Sequence, residues 1–383
     1  MKFKVDHKML VNRLGVVSKV LTGKLEIKSL SGIRIVANSE GLTLTATDGV
    51  MCSMIETVIP NFDKDGNPLV IVEETGLFIV QGKQFVDYIK KLKDGFINCQ
   101  ILDGGLLHVK QGRSDLSISG FSPAEYPDIK TGGDFKQARF TVKEFKRMVR
   151  ATILFVSQSE SMPVLKGVSM KFSGSNVVCS STDSFRMSRD NISVQLETVI
   201  EDMEVVVPAK PLLDMSNMLT STDEYVDISF SSNWFGASSN SSTILTRLLS
   251  GTYPNLDDFL EVENNNCVMI VKSDLAKALE RMMLLTNTSN QPYIKFTFLK
   301  GEQEMKVECR PLEIGGAVEW IELDRPCSFD LVITLSPNFV YDVLRTYESD
   351  ELVFSFKGDM SPMLVHDPLV KNSVRLLVPI RLN

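Results

Sequence analysis

The chain has 383 residues, 43% of them hydrophobic and 23% charged, so its length corresponds to about two or three globular domains and excludes a single small module. Its formal net charge of −7 at pH 7 disfavours a protein that binds nucleic acid over its whole surface, although a single basic face is compatible with it. Six widely spaced cysteines without a C-x-x-C motif indicate reduced thiols, and neither a signal peptide nor an apolar run of membrane-spanning length is present. These features predict a soluble cytoplasmic protein that does not enter membranes.

An extended segment followed by an amphipathic helix occurs three times along the chain. The copies begin at Phe3, Phe140 and Met269, at intervals of about 130 residues, which is the length of a typical domain. In each copy, apolar residues then recur at the three- to four-residue spacing of a helix with one buried face. A second helical pattern lies near the middle of each repeat, at residues 82–93, 210–219 and 336–347, and Ser336 followed by Pro337 has the form of a helix N-cap.

Alternating apolar and polar residues between these helices predict antiparallel β-strands. The run LTLTATDG at residues 42–49 returns as VVCSSTDS at residues 177–184, and a degenerate copy, MKVEC, occupies residues 305–309. Apolar patterning lapses at residues 130–134 and 261–266, which are the expected linkers. The sequence therefore predicts an α+β protein of three repeated domains, each with two helices packed on antiparallel sheets. The predicted domains are residues 1–128, 136–257 and 264–383.

The chain offers no recognisable catalytic constellation. Its three histidines, His7, His108 and His366, lie outside any nucleophile or metal-binding motif, and phosphate-binding, dinucleotide-binding, nucleophile-elbow and zinc-protease motifs are all missing. Asp48 and Asp183 could be metal ligands, but each ends a predicted strand, where an aspartate that hydrogen-bonds its own turn is the favoured interpretation. We predict no catalytic residue, no metal and no cofactor.

Positive charge is concentrated on some of the predicted helices. In a chain of negative net charge this pattern is expected if one surface faces a polyanion, and a solvent-exposed helix face that simply carries lysine is the equally weighted alternative. No helix-turn-helix, zinc-finger or RNA-binding aromatic motif accompanies the charge, so DNA would not be read for its sequence. If the polyanion is DNA, the residues predicted to face it are Arg13, Lys19, Lys24, Lys83, Lys90, Lys91, Lys146, Arg147, Arg150, Lys210, Lys277 and Arg281.

Four further segments, spread along the chain, carry a family resemblance. They are PVLKGV at residues 163–168, STDSFRM at 181–187, LLSGTYPN at 248–255 and LLVPIRL at 376–382. Together with the three repeats and the basic helices, they resemble the bacterial DNA sliding clamps, the family of the β subunit of DNA polymerase III. The segment FKGDMSPML at residues 356–364 adds a likeness to the clamps of Gram-positive bacteria.

The resemblance implies a non-catalytic processivity factor. Two chains would associate head to tail into a homodimeric ring of six domains, with twelve helices lining a hole around double-stranded DNA. Such a ring would tether the replicative DNA polymerase and would slide, because helix-borne lysines and arginines meet phosphates without base contacts. Its partners would be the polymerase, the clamp loader and repair proteins, which would dock through short hydrophobic peptides.

The family's peptide pocket would lie between the second and third domains, where its apolar members would bury the leucine and phenylalanine anchors of partners and Arg186 and Arg381 would be polar contacts. Without the resemblance, the terminal apolar run would be a final core strand. Phe185, where histidine is frequent, and Asp258, where some members carry a basic residue, depart from common usage. By matching motif, the pocket residues are Leu165, Thr182, Ser184, Phe185, Arg186, Met187, Pro254, Phe259, Leu376, Val378, Pro379, Ile380 and Arg381.

For ring closure, the resemblance pairs Leu116 and Ile118 of the first domain with Leu284 and Leu285 of the third, although ordinary core residues would give the same patterns. Two other functions stay open. The first is a monomeric three-domain adaptor that binds peptide motifs without encircling DNA, motivated by the degenerate third repeat and the weakly basic helices at residues 210–219 and 336–347. The second is a hydrolase that uses the aspartates at the strand ends.

Overall fold

The structure is a computed structural model of the chain, and it describes residues 1–21, 27–49, 54–102, 104–126, 134–196, 202–239, 241–260, 266–286, 292–309, 315–370 and 373–381. The chain forms two compact units. The first comprises Met1–Val142, Gln195–Val199 and Lys210–Leu248, and the second comprises Lys143–Val194, Ile200–Ala209 and Leu249–Asn383. None of the described helices has the length and apolar character required to cross a membrane.

Six α-helices lie within the described residues: α1 (His7–Val17), α2 (Gly82–Ile89), α3 (Val142–Thr152), α4 (Ala209–Met218), α5 (Lys272–Thr286) and α6 (Pro337–Thr346). Helix α1 begins where the Asp6 side chain accepts a hydrogen bond from the Met9 N–H at 2.9 Å. Helix α6 begins in the same way, with the Ser336 side chain accepting from the Phe339 N–H and proline at the first helical position. The predicted N-cap at Ser336 is therefore confirmed.

Helix α2 is shorter than its sequence pattern. The pattern predicts a helix over residues 82–93, but α2 ends at Ile89. The Gln111 side chain accepts a hydrogen bond from the Lys93 N–H at 3.0 Å and donates one to the Lys93 carbonyl at 2.8 Å. Because this side chain holds both main-chain polar groups of Lys93, the last residues of the pattern leave the helix. Lys90 and Lys91 consequently lie in a turn just beyond it.

The strands follow in chain order. The first third of the chain contains β1 (Lys2–Asp6), β2 (Gly32–Asn38), β3 (Gly41–Thr47), β4 (Met54–Pro60), β5 (Val70–Glu74), β6 (Gly76–Gln81), β7 (Phe96–Leu102), β8 (Leu106–Gln111) and β9 (Ser114–Phe121). The middle third contains β10 (Lys136–Thr141), β11 (Gly167–Ser173), β12 (Asn176–Thr182), β13 (Arg186–Ser193), β14 (Gln195–Leu196), β15 (Met203–Pro208), β16 (Tyr225–Phe230), β17 (Trp234–Ser238) and β18 (Ser242–Arg247). The last third contains β19 (Asn266–Val271), β20 (Ile294–Phe298), β21 (Glu304–Cys309), β22 (Ala317–Glu322), β23 (Leu331–Leu335), β24 (Glu351–Phe356), β25 (Met363–His366) and β26 (Val374–Leu377).

The strands of the first unit form one antiparallel sheet of fourteen, in the order β14-β10-β16-β17-β18-β4-β3-β2-β6-β9-β8-β7-β1-β5. Strands β4 and β18 join the two parts of this sheet, with Ile55 opposite Ile244 and Thr57 opposite Ser242. The hydroxyls of Thr57 and Ser242 also hydrogen-bond at 2.9 Å. The buried side of α1 shows the predicted helical spacing, at Leu10, Leu14 and Val17.

The second unit contains two sheets, ordered β15-β11-β12-β13-β26-β25-β24-β19 and β22-β21-β20-β23. Phenylalanine rings fill its core: the Phe298 ring centroid lies 5.0 Å from that of Phe356 and 5.7 Å from that of Phe329. Four cysteines of the chain, Cys99, Cys179, Cys309 and Cys327, are buried thiols without a disulfide.

The predicted repeat of strand and helix is confirmed in all three copies, as β1–α1, β10–α3 and β19–α5. The strand landmarks are confirmed as β3, β12 and β21. The middle third of the chain contributes strands to both compact units, an arrangement that the repeat pattern does not predict, because it follows from pairing between strands distant in the sequence. The predicted linkers at residues 130–134 and 261–266 lie almost entirely outside the described residues.

The Asp6 cap provides a test of the first strand-to-helix junction. We expect Asp6→Ala to lower the free energy of unfolding by about 1 kcal/mol, because the Met9 N–H loses its acceptor, as measured by urea denaturation. Asp6→Asn is the matched control, since asparagine caps helices equally well, and it should stay within about 0.3 kcal/mol of the parent. An equal loss in both variants would contradict the capping role.

Candidate binding surfaces

An apolar cavity of about 240 Å³ lies in the second unit. Its lining contains nine of the residues predicted to form a peptide pocket: Leu165, Thr182, Ser184, Arg186, Met187, Pro254, Phe259, Leu376 and Val378. Sequence reasoning missed two further lining residues, Met162 and Leu256. Met162 directly precedes the segment PVLKGV, and Leu256 directly follows LLSGTYPN. Their position beside these segments is the sequence feature that could have identified them as pocket residues.

The floor of this cavity is formed by paired strands. Met187 on β13 lies opposite Leu376 on β26, so both side chains project from the same face of the sheet. Each is only 3% exposed, and they pack in one apolar cluster with Leu165 and Leu256. A floor of this kind can bury apolar side chains of a ligand. Leu376 and Leu377, the first two residues of the terminal apolar run, belong to the buried strand β26, whereas residues 378–381 lie beyond it.

Large apolar side chains remain exposed at the rim of the cavity. Met162 is 49% exposed, Phe259 52% and Val378 40%, and each of them lines the cavity. Phe185 is 62% exposed and does not line it. The Phe185 carbonyl nevertheless accepts a hydrogen bond from the Val378 N–H at 2.9 Å, which holds this residue beside the rim. Exposed apolar residues around a small apolar cavity are typical of a protein-interaction site.

The turn between β12 and β13 supplies several of the pocket residues. Ser184 has a φ of +77°, in the left-handed region. One carboxylate oxygen of Asp183 accepts hydrogen bonds from the N–H groups of Phe185 and Arg186, each at 3.0 Å. These contacts are those of an aspartate that hydrogen-bonds its own turn, as the favoured interpretation of Asp183 expects. Among the described residues, no group of three potential metal ligands could hold a metal ion.

Arg186 is held firmly inside the pocket wall. Its guanidinium donates to Asp183 at 2.9 Å and to Asp342 at 2.7 Å, and it stacks over the Phe339 ring with the guanidinium carbon 4.1 Å from the centroid. The side chain is 11% exposed. Its charge is thus already balanced by two carboxylates, and a direct polar contact between Arg186 and a ligand stays a prediction.

Besides Phe185, three predicted pocket residues lie beyond the cavity, namely Pro379, Ile380 and Arg381. After Val378, the chain turns toward the four-stranded sheet, where the Ile380 N–H donates to the Thr334 carbonyl at 2.8 Å. Arg381 is exposed. These residues extend the rim in one direction without contributing to the lining, and their role stays a prediction.

The basic residues predicted to face DNA differ in their exposure and in whether an acidic side chain already pairs with them. Lys83, Lys90, Lys91 and Lys277 are exposed, and no carboxylate of the described chain lies within salt-bridge distance of them. Lys19 and Lys146 are half-buried, and Lys24 lies outside the described residues. Arg13 is also half-buried, and burial lowers the pKa of its guanidinium, an effect that the carboxylate of Asp223 opposes.

The remaining basic residues are already paired with acidic side chains. Arg281 donates two hydrogen bonds to Glu319, at 2.7 and 2.8 Å, and Arg150 pairs with Glu348. The remaining two pairs are Arg147 with Asp190 at 2.9 Å and Lys210 with Asp214 at 3.8 Å. Asp214 lies one helical turn after Lys210, whereas Glu319, Glu348 and Asp190 lie far from their partners in the sequence, so a count of lysines and arginines overstates the free positive charge.

The residues predicted to close a ring lie on strand β9 in the first unit and at the end of helix α5 in the second, where Arg281 of α5 pairs with Glu319 of strand β22. Within the described chain, residues 114–119 of β9 pair only with β8, and β22 pairs only with β21. On β9, Leu116 is half-buried and Ile118 is 8% exposed, so the latter belongs mainly to the core of its own chain. Leu284 at the end of α5 is 77% exposed, whereas Leu285 packs partly against the core of the second unit.

The outer face of β22 carries apolar residues that sequence reasoning missed. Trp320 is 56% exposed and Val318 is 46% exposed, and both point away from the side of Glu319, which pairs with Arg281 on α5. The β22 edge therefore offers unpaired main-chain groups with exposed apolar side chains nearby, which are features of a strand-docking surface.

Family comparison accounts for almost the whole chain. Residues 1–130 match the DNA polymerase III beta subunit N-terminal domain, residues 139–255 its central domain, and residues 260–381 its C-terminal domain. The chain belongs to the DNA polymerase III beta subunit family. The sequence of this beta-subunit chain is 27% identical to the Beta sliding clamp of Bacillus subtilis over 383 residues, and 28% identical to that of Halalkalibacterium halodurans over 382 residues, with all of each protein covered.

Solved structures agree with this assignment. The crystal structure of the DNA polymerase sliding clamp from Bacillus subtilis superimposes on this beta-subunit chain with a TM-score of 0.94 at 27% identity, and the match covers all of both chains. The beta subunit of DNA polymerase from Streptococcus pyogenes gives a TM-score of 0.91 at 25% identity, again over the full length of both. The three repeats of the sequence thus correspond to the three domains of this family.

The ion pair of Arg147 in this beta-subunit chain yields a stability prediction. Asp190 is completely buried, so Arg147→Ala should leave an unpaired buried carboxylate and lower the free energy of unfolding by about 3–5 kcal/mol in urea denaturation. Lys143→Ala, at an exposed position on the same helix, should change it by less than about 0.5 kcal/mol. Equally small effects in the two variants would refute a structural role for this arginine.

Proposed function

We propose that the chain is a DNA sliding clamp, a ring-shaped homodimer that encircles duplex DNA and tethers the replicative DNA polymerase. The observation that carries this proposal is the full-length correspondence with relatives named Beta sliding clamp, which includes all three domain repeats. The domains of the ring would be residues 1–128, 136–257 and 264–383. The protein would act in the cytoplasm, where bacterial DNA is replicated.

The activity would be topological rather than catalytic. A closed ring keeps its polymerase near the primer end, which raises the effective concentration of the enzyme without any chemical step. The exposed lysines at positions 83, 90, 91 and 277 would meet phosphates electrostatically and without base contacts, so the ring could move along any sequence. The negative net charge of the whole chain would discourage DNA from binding elsewhere on the protein.

The apolar cavity would bind short hydrophobic peptides of the polymerase, the clamp loader and repair proteins. Its floor of Met187 and Leu376 and its exposed rim support this role, because apolar anchors that become fully buried contribute most of the binding energy in such interfaces. Phe185 and Asp258 would tune which peptides are preferred.

Ring closure would join the β22 edge of one chain to the β9 edge of a second chain, which is a head-to-tail contact made twice in a closed dimer. Residues 114–119 and strand β22 would then pair their free main-chain groups. Leu284 and Trp320 would gain burial against the second copy. A monomeric adaptor would have no use for these two edges, which is why we favour the ring.

Substitution of the two leucines at the end of α5 tests ring closure. The parent should sediment at twice the chain mass of 42.7 kDa, and Leu284→Asp with Leu285→Asp should sediment as a monomer that no longer stays on circular DNA. Val332→Asp is the control, because Val332 is half-exposed on β23 and away from the proposed edge. A double variant that remains dimeric, or a parent that is monomeric and still binds partner peptides, would favour the adaptor.

Binding of a labelled peptide, measured by fluorescence anisotropy, tests the pocket. We expect Val378→Glu to weaken the binding of a pentapeptide containing leucine and phenylalanine by at least tenfold, because a carboxylate at the rim opposes burial of the anchors. Met187→Lys should abolish binding, and both variants should remain dimeric. Removal of residues 377–383 is a poorer test, since Leu377 is 1% exposed within β26 and its loss would damage the fold. Unchanged affinity in Val378→Glu would refute the pocket assignment.

A further inference from the structure

A second and larger cavity, of about 860 Å³, lies on the eight-stranded sheet of the second unit. Five of its lining residues are apolar: Val178, Leu260, Leu364, Val370 and Val374. Arg189, Asn191 and His366 add polar groups. None of these eight residues lines the first cavity, and none was predicted to form part of a binding site.

The register of the strands places the two cavities side by side on one face of the sheet. Met187 and Arg189 are two residues apart on β13, and Leu376 and Val374 are two residues apart on β26, so each pair projects from the same face. Met187 and Leu376 line the first cavity, while Arg189 and Val374 line the second. Two residues of extended strand span about 6.6 Å, so the cavities are immediate neighbours.

The segment of residues 257–260 lies at the boundary between the two cavities. The short helical turn Asp257–Phe259 supplies Phe259 to the first cavity, and Leu260 directly after it lines the second. Asp257 pairs with Arg189 above the sheet. Their side chains are 50% and 29% exposed, so this pair lies at the solvent-facing side of the boundary and can exchange for contacts with a ligand chain at little cost.

We propose that the second cavity binds a further aliphatic side chain of the same partner peptide that fills the first one. The inference rests on the proposed function, because it extends the site for hydrophobic peptides. Continuity of one sheet face across both cavities favours the same chain as occupant over an unrelated molecule. An extended peptide advances about 3.3 Å per residue, so three residues beyond an anchor suffice to reach the second cavity.

The polar groups of the second cavity suit a peptide main chain. Asn191 has a buried side-chain oxygen without a hydrogen-bond partner in the described chain, so its amide is not committed to another protein group through that atom. Burial lowers the pKa of His366, so its imidazole is neutral at pH 7 and offers one donor and one acceptor. Donors and acceptors beside an aliphatic surface match the alternating chemistry of an extended peptide.

The test compares peptides of two lengths by fluorescence anisotropy on the full chain. The short probe is a pentapeptide with leucine and phenylalanine anchors, and the long probes add Ala-Ala-Leu at its carboxyl end or Leu-Ala-Ala at its amino end. We expect one long probe to bind the parent at least tenfold more tightly than the short one. Val178→Trp, which fills the second cavity, should remove this gain and leave the short probe unaffected, as should Val370→Glu.

Val271→Trp is the matched control, since it places the same bulky side chain on the edge strand β19 of the same sheet, and it should keep the tenfold gain. Equal affinities of all probes for the parent would overturn the inference, as would a gain that survives both Val178→Trp and Val370→Glu. If even the short probe fails to bind the parent, the peptide-binding function itself is refuted, and the second cavity loses its proposed occupant with it.

Discussion

Strand β26 hydrogen-bonds to β13 over four residue pairs, from Arg186 opposite Leu377 to Arg189 opposite Val374. These strands come from the last and the middle third of the chain, and their pairing makes one eight-stranded sheet out of two shorter ones. The two neighbouring cavities proposed to bind peptide both stand on this junction. The positions of the residues that line the cavities therefore depend on the register between β13 and β26.

A buried arginine fixes this junction from within. Arg375 is 1% exposed, and its guanidinium donates to the Arg189 carbonyl at 3.1 Å and to the Thr346 hydroxyl at 3.2 Å. It also stacks on the Tyr347 ring, 4.7 Å from its centroid. Because a buried guanidinium needs its hydrogen bonds, any slip of β26 along β13 would leave donors unsatisfied. Arg375 thereby specifies the register that aligns Met187 with Leu376.

Sequence periodicity predicted the elements of this fold well, because strands and helices reflect local spacing of apolar residues. Ser336 and Pro337 predicted the start of a helix, which the structure has at that position. The repeated units of strand and helix are present in all three copies. The pairing of charges was not predictable, since Arg147 and Asp190 meet only through packing of a helix on a sheet. Nine pocket residues came from a family resemblance rather than from physical pattern. Exposure of Trp320 depends on which strand forms the edge of a sheet, and no single segment contains that information.

The pairing of β4 with β18 has a consequence for biosynthesis. Thr57 and Ser242 are separated by most of the first two thirds of the chain, yet their strands are neighbours in one sheet. During synthesis, one edge of β4 stays unpaired until β18 has left the ribosome. Contacts between residues so far apart in the sequence also form slowly. During this interval, the exposed edge is a site for mispairing with another nascent chain. The fourteen-stranded sheet is therefore complete only after residues 242–247 have been synthesised.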